Sequence, residues 1–547
     1  MTAPDTNVPR ALKPTLWGVQ YLVGDGFGLA GAVAGSSAAD ARIAPPTKMG
    51  LIRIVPLRHT EPPESHAESW FRTWDDAGVA IRRTKILATL GPASESPAML
   101  DALLEAGVDC VRVNCSHGSA EDQRARSEGA RAAAARADRP LGVLFDLQGP
   151  KLRLAADTEL QQVHAGDPVV FAPAGDGVQP GDVRVDFPDF VALVTERSQI
   201  VIGDGMPRFA VEQVEAGRVH ARTVTAGPLS SRKGINVTYA RPNLPAMTEK
   251  DIADLALAAE CGADFVALSF VRSAADVADL RDRLRAHGSR ARTVAKIEKI
   301  EAYEHLDEII AVADGIMVAR GDYGVEAGVA RVPLMQKDAI YRATQDGKLV
   351  ITATQMLESM IHAPEPTRAE AADVANAVID GTSAVMLSAE TGVGEYPVEA
   401  VRAMAEIAHA AEAAPVIHGR CRVADHESAA ASVLHSAVEL ADDLDAGALV
   451  IPTATGGGAR ACSKYRTDRP IVALVHDEVV ANQMTLEWGV HIGRMAVADN
   501  VDDLVEEALV CAGEVANLPS GTSVVITAGR RTGTPGATSL IMVREIP

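Results

Sequence analysis

Apolar residues are not spread evenly along this chain. From residue 85 onward, short apolar runs recur, and most are followed by a longer stretch with apolar positions three and four apart. The first pattern reads as a buried parallel strand and the second as an amphipathic helix. Runs at residues 85–90, 110–114, 142–147, 265–270, 293–298, 315–320, 349–354 and 384–388 predict eight strands. Segments such as 119–137, 274–286, 333–344 and 368–379 predict helices between them, and Leu306, Ile309, Ile310 and Val312 predict one continuous helix over 301–312. Eight strands alternating with helices predict a (β/α)8 TIM barrel, with its site at the C-terminal strand ends.

Two stretches depart from that rhythm. Much of the interval 147–265 holds short runs at 169–171, 183–185, 200–202, 208–211 and 219–224, with turns at Ala174-Gly175-Asp176-Gly177 and Gly203-Asp204-Gly205. These predict a small β-barrel domain inserted after the third barrel strand. After Ala414-Pro415, runs at 447–451, 470–475, 490–494, 523–528 and 540–544 predict a separate, open α/β domain. The expected division is an N-terminal extension over 1–81, a barrel over 82–151 and 240–414, the insert over 152–239, and a C-terminal domain over 415–547. The extension holds three of the four tryptophans and no sustained strand–helix alternation, so it is expected to be poorly ordered. Its Gly26-Phe27-Gly28-Leu29-Ala30-Gly31 matches GxGxxG, but no parallel sheet follows, and a chance match is the better reading.

Composition narrows the class. A chain of 547 residues suggests three or four domains, and 47% apolar residues with only 4% aromatics fits an α/β protein built from small side chains. A formal charge of −21 argues against nucleic acid or an anionic membrane as partner, although a local cationic cluster can still hold an anionic substrate. The six cysteines form no CxxC pair and no metal-ligand spacing, which fits a reducing cytoplasm. The longest apolar stretch, residues 17–35, is interrupted by Asp25 and lacks a preceding basic segment, so neither a membrane span nor a signal peptide is expected.

The chemistry gathers at consecutive strand ends. Lys296-Ile297-Glu298 closes the fifth run and Ala319-Arg320-Gly321-Asp322 the sixth, so both clusters emerge on one face of one parallel sheet. Two carboxylates, an ammonium and a guanidinium there suit a divalent cation shared with an anionic substrate, and hard oxygen ligands in small number suit Mg²⁺. Lys296 lies in an apolar strand and needs a compensating anion, either Glu298 or a bound substrate. Backbone N–H groups at Gly321 and beyond would meet a substrate carboxylate near a helix start. Thr354, at the end of the seventh run, reads on its own as a cap.

These motifs closely resemble pyruvate kinase, and the resemblance runs from Arg82 to the C-terminus. It rests further on Ile351-Thr352-Ala353-Thr354-Gln355-Met356-Leu357-Glu358-Ser359-Met360, on Val111-Arg112-Val113-Asn114-Cys115-Ser116-His117-Gly118, on Phe145-Asp146-Leu147-Gln148-Gly149-Pro150-Lys151-Leu152-Arg153 and on Ser231-Arg232-Lys233-Gly234-Ile235-Asn236. The resemblance implies Mg²⁺, with Mn²⁺ as a substitute, on Glu298 and Asp322. It implies phosphoenolpyruvate bound by Arg112, Lys296, Gly321, Asp322 and Thr354, with Lys296, Thr354 and Arg112 catalytic. ADP and ATP phosphates are then expected at Arg153 and Lys233, with His117 equally readable as a loop histidine and Asp204 a weaker match. It also implies a homotetramer and an insert that closes as a lid. Two other readings stay open: a Mg²⁺-dependent barrel enzyme making or breaking C–C bonds of pyruvate, and a non-catalytic regulatory homologue.

Two departures from the family pattern matter. Members requiring K⁺ place Thr and Lys after the strand-three Asp and a Glu four residues beyond that Thr. Here Leu147, Gln148 and Lys151 stand there, beside the expected cation pocket of Asn114, Ser116, Asp146 and the Leu147 carbonyl. A lysine carries its own cation into that pocket, so K⁺ is not expected to be required. In the C-terminal domain, Pro452 to Arg460 resembles a phosphate-binding loop facing Arg530-Arg531-Thr532-Gly533, but Gly457 and Gly458 lack the hydroxyls expected for fructose 1,6-bisphosphate. The effector is left open.

Overall fold

The computed structural model describes residues 82–175, 178–203, 205–238, 245–413, 428–530 and 536–547. The extension over 1–81 with its GxGxxG motif, Asp204, Ala414-Pro415, Cys421 and Arg531-Thr532-Gly533 lie outside the described residues.

Eight parallel strands close into a barrel: Lys85–Thr89, Cys110–Asn114, Gly142–Leu147, Phe265–Leu268, Arg292–Ile297, Gly315–Ala319, Leu349–Ala353 and Ala384–Leu387, the last pairing with the first. Each is buried along almost its whole length, as a strand covered by helices on one side and by the barrel interior on the other must be. The interior is filled by Leu87, Leu144, Phe265, Val294, Met317, Ile351 and Met386, so it is a packed core.

Among the differences from the sequence expectation, two strand ends and one helix bear most on the upper face. The sixth strand stops at Ala319, and Arg320 already opens the helix Arg320–Ala327. The seventh stops at Ala353 because Thr354 and Gln355 take φ of +66° and +55°, which no strand accommodates. Residues 301–312 form two helices, Ile300–Glu304 and Leu306–Val312, broken where His305 leaves helical geometry (φ −106°, ψ 22°).

The insert leaves the barrel through Leu152–Arg153 and returns through Gly234–Val237, which pair antiparallel in one seven-stranded sheet. Its core is separate from the barrel's and is built around Phe171, Phe190 and Phe209. The C-terminal residues form a five-stranded sheet, parallel except for the edge strand Thr538–Glu545.

The C-terminal sheet sits under the N-terminal mouth of the barrel. Leu486 is fully buried within the barrel's interior layer, and a Cβ on Gly142 would lie 2.5 Å from the Thr485 hydroxyl, so only glycine fits there. The Lys85 ammonium donates to the Val490 carbonyl (2.7 Å), and the Arg292 guanidinium meets Glu487 at 2.5 Å, both side chains nearly inaccessible. Arg466 donates to the Gly381 carbonyl (2.8 Å) and lies over the Trp488 ring, 4.9 Å from its centroid. A floor this densely bonded fixes the base of strand Arg292–Ile297, whose other end carries the site.

Candidate active site

Lys296 is the centre of the upper face. Its ammonium lies 2.7 Å from the Ser269 hydroxyl, 3.1 Å from Glu298 Oε1 and 3.2 Å from Asp146 Oδ1. Burial alone would strip its proton, but Asp146 and Glu298 outweigh burial and hold its pKa above the ordinary lysine value. Burial would likewise raise Asp146; Lys296 and Arg112 more than offset this and keep it ionised. Arg112 binds Asp146 through Nε and Nη2 (2.7 Å each) and reaches the Thr89 hydroxyl (3.1 Å). The result is an alternating row, Arg112–Asp146–Lys296–Glu298, in which each charge is covered by its neighbours.

Glu298 ends that row and is the least settled of the four. Burial raises its pKa, Lys296 pulls it back, and Asp322 raises it again. Its second oxygen accepts from the Phe270 N–H (2.9 Å). Two carboxylates facing each other across a cavity, one of them destabilised by the other, form a donor set that a divalent cation would relieve. Among the described residues no third His, Cys, Asp or Glu joins them as a closed ligand cage. That open set fits Mg²⁺, which keeps several waters and shares substrate oxygens, better than a structural metal.

Arg112, Asn114, Ser116, His117, Asp146, Lys151, Arg153, Lys296, Glu298, Gly321, Asp322 and Thr354 line one cavity of about 170 Å³. Lys151, Arg153, Phe270 and Asp322 also line a larger one of about 670 Å³ between barrel and insert, which Lys233 borders from the insert side. His117 is held below the usual histidine range by partial burial and by Arg153, Arg112 and Lys151, so it is a neutral ring among cations at neutral pH. Arg153 donates to the Arg232 carbonyl (3.3 Å), tying the two nucleotide-motif segments together.

Three residues sit differently from the sequence expectation. Arg320 is not an anion-binding group: it pairs with Asp373 (2.6 Å) and donates to the carbonyls of Ala353, Thr354 and Gln355. It therefore braces the turn that holds Thr354 at positive φ, a conformation costly for a β-branched residue unless its surroundings impose it. The Gly321 N–H donates to the Thr354 hydroxyl (2.9 Å), which itself donates to the Ala353 carbonyl (2.7 Å). Lys151 does not touch Asp146; its ammonium stands 3.9 Å from Asp322 while still bordering the cavity that Asn114 and Ser116 share.

Sequence reasoning missed Ser269, which joins Lys296 to the Leu147 carbonyl (Ser269 Oγ donating, 2.7 Å). It also missed Lys250, whose ammonium reaches the Cys115 carbonyl (2.7 Å) and Asp254. Both lie at helix or strand ends with no local signal; only the closure of the barrel brings them in. The phosphate-loop residues Thr453, Thr455, Gly457 and Gly458 border a cavity of about 270 Å³ in the C-terminal sheet, with Leu434, His476 and Met495. No helix among the described residues is long and apolar enough to cross a membrane.

Residues 81–401 match the family described as pyruvate kinase, barrel domain, and residues 431–544 the one described as pyruvate kinase, alpha/beta domain. Similar chains include the pyruvate kinase of Geobacillus stearothermophilus, 40% identical over 473 residues covering 85% of this chain and 80% of that one. That of Sporosarcina psychrophila is 39% identical over 489 residues, covering 85% and 81%. With identity of that order across both barrel and C-terminal sheet, the chain belongs to the pyruvate kinase family.

Proposed function

We propose that the phosphoryl transfer from phosphoenolpyruvate to ADP, giving pyruvate and ATP, is carried by the row Arg112–Asp146–Lys296–Glu298 together with Asp322 and Thr354. The observation that carries this reading is the Lys296 ammonium, held charged between two carboxylates at the edge of a cavity. Glu298 and Asp322 would hold Mg²⁺, or Mn²⁺ in its place. When bound, the ion supplies positive charge to the phosphoryl oxygens and to the enolate oxygen of the leaving group.

The chain's own groups do the rest. Lys296 and Arg112 bind the transferring phosphoryl group and stabilise charge that spreads over its oxygens. Arg153, Lys233 and the neutral His117 are assigned to the nucleotide phosphates, with the insert closing to exclude water that would otherwise take the phosphoryl group. Thr354 is assigned to the proton that the enolate must gain at carbon. Its hydroxyl is held from both sides by Gly321 and Ala353, so it is oriented before substrate arrives. A substrate carboxylate at the start of helix Arg320–Ala327 would draw on its first-turn N–H groups, sharing that of Gly321 with the Thr354 hydroxyl it already meets.

K⁺ is assigned no role, because Lys151 brings its own cation to the wall of the cavity that Asn114, Ser116 and Asp146 also line, with its ammonium on the Asp322 side. The division into extension, barrel, insert and C-terminal domain, a homotetrameric assembly and a cytoplasmic location complete the reading. The direct test is pyruvate release assayed with Mg²⁺, with and without ADP. Release that requires ADP and is lost in Glu298→Gln supports the assignment; ADP-independent release, or full activity in Glu298→Gln, overturns it.

A further inference from the structure

One buried ion pair beside the site belongs to none of these assignments. The Lys299 ammonium donates to Glu326 Oε2 (2.9 Å) and to Asn236 Oδ1 (3.1 Å). The Glu326 side chain is 1% exposed and that of Lys299 17%. The three residues come from three segments that matter separately. Lys299 directly follows Glu298. Glu326 stands one helical turn beyond Asp322 on Arg320–Ala327. Asn236 lies in Gly234–Val237, through which the chain returns from insert to barrel.

We propose that Lys299 is a positioning residue: its bond to Glu326 sets the separation of Glu298 and Asp322, and its bond to Asn236 couples that separation to the insert. The inference rests on the reading of Glu298 and Asp322 as the metal pair. Two carboxylates repel, and although the strands leading to them pair as far as Ile297 and Val318, beyond that ladder Glu298 is held by Phe270 and Lys296 and the helix start by Thr354. Lys299–Glu326 ties one segment to the other. Simple electrostatics predicts the opposite sign for its loss, because removing a nearby positive charge should tighten a cation site.

The test uses the full chain and Mn²⁺ alone as probe, with free Mn²⁺ read by electron paramagnetic resonance in the absence of substrates. Lys299→Met should weaken Mn²⁺ binding about tenfold. If the stranded Glu326 prevents that variant from folding, Lys299→Met/Glu326→Gln removes both charges and should show the same weakening. Asn236→Ala should leave Mn²⁺ binding within about twofold and raise KM for ADP about fivefold. A folded double variant that binds Mn²⁺ as the unmodified chain does overturns the brace, and an unchanged ADP KM in Asn236→Ala overturns the coupling to the insert. Glu298→Gln separates the two levels. If it too binds Mn²⁺ normally, the metal pair itself is wrong; if it alone loses Mn²⁺, only the role of Lys299 falls.

Discussion

Replacing Lys296 with Met tests the catalytic assignment most sharply. The ammonium stands 3.1 Å and 3.2 Å from two carboxylate oxygens. At an effective dielectric of about 20 each attraction is worth roughly 5 kcal/mol gross. Most of that exists before any substrate binds, so it belongs to the resting protein and cannot lower the barrier. What remains is the difference between the ground state and a transition state whose phosphoryl oxygens carry more spread charge. Loss of one preorganised donor of this kind costs about 3–4 kcal/mol, or roughly 10²–10³ in kcat. KM for phosphoenolpyruvate should move little, because the interaction strengthens only as charge develops. Glu298 loses its nearest cation, so its already raised pKa rises further and the acid limb of the rate profile shifts to higher pH. Measuring pyruvate release at saturating Mg²⁺ and at pH 8 keeps the two effects apart. A kcat within threefold of the unmodified chain, or a loss carried wholly by KM, would refute the assignment.

Three further outcomes follow from the same geometry. Activity should be nearly equal in K⁺ and in tetramethylammonium buffers of matched ionic strength, and Lys151→Glu should create K⁺ dependence; strong K⁺ activation of the unmodified chain would overturn this. Glu487→Gln leaves Arg292 buried without its anion and should cost about 3–5 kcal/mol in chemical denaturation, with a cost below about 1 kcal/mol showing the pair to be dispensable. Asp264 is pushed up to about 6, chiefly by burial, against which Arg131 acts. The folded chain therefore holds that proton at pH values where the unfolded chain has lost it. The stability this contributes is present below about pH 4 and gone above about pH 6. The melting temperature of Asp264→Asn should accordingly fall less than that of the unmodified chain between those two values, and parallel curves would remove Asp264 from the account.

Much of the architecture was legible because burial on both faces leaves an unbroken apolar run. Cys110–Asn114 and Gly142–Leu147 coincide with their predicted bounds for that reason. The meeting of Glu298 and Asp322 at one cavity was legible too, since consecutive parallel strands must end on one face. What the pattern could not carry is the destination of long side chains. Arg320 reads as a cation beside Asp322, yet it reaches Asp373, and nothing local to either residue announces the pairing. Thr354 at positive φ was equally hidden, because its sequence neighbours describe a strand and only the Arg320 bracket bends them out of one. The same holds for Lys299, whose partners lie on two other segments. Periodicity reports which face is covered, and it is silent about which distant atom does the covering.

The floor of the barrel has a consequence for how the chain emerges from the ribosome. All eight barrel strands have been made once Leu387 is added, yet Leu486, which seals their lower layer, comes about a hundred residues later. At about 5–20 residues per second that interval lasts on the order of 5–20 seconds. Throughout it the nascent barrel has its strands but an open apolar base, with Lys85 and Arg292 lacking Val490 and Glu487. Completion is thus delayed by about a hundred residues of synthesis, and chaperones that bind exposed apolar surface have a defined window in which to act.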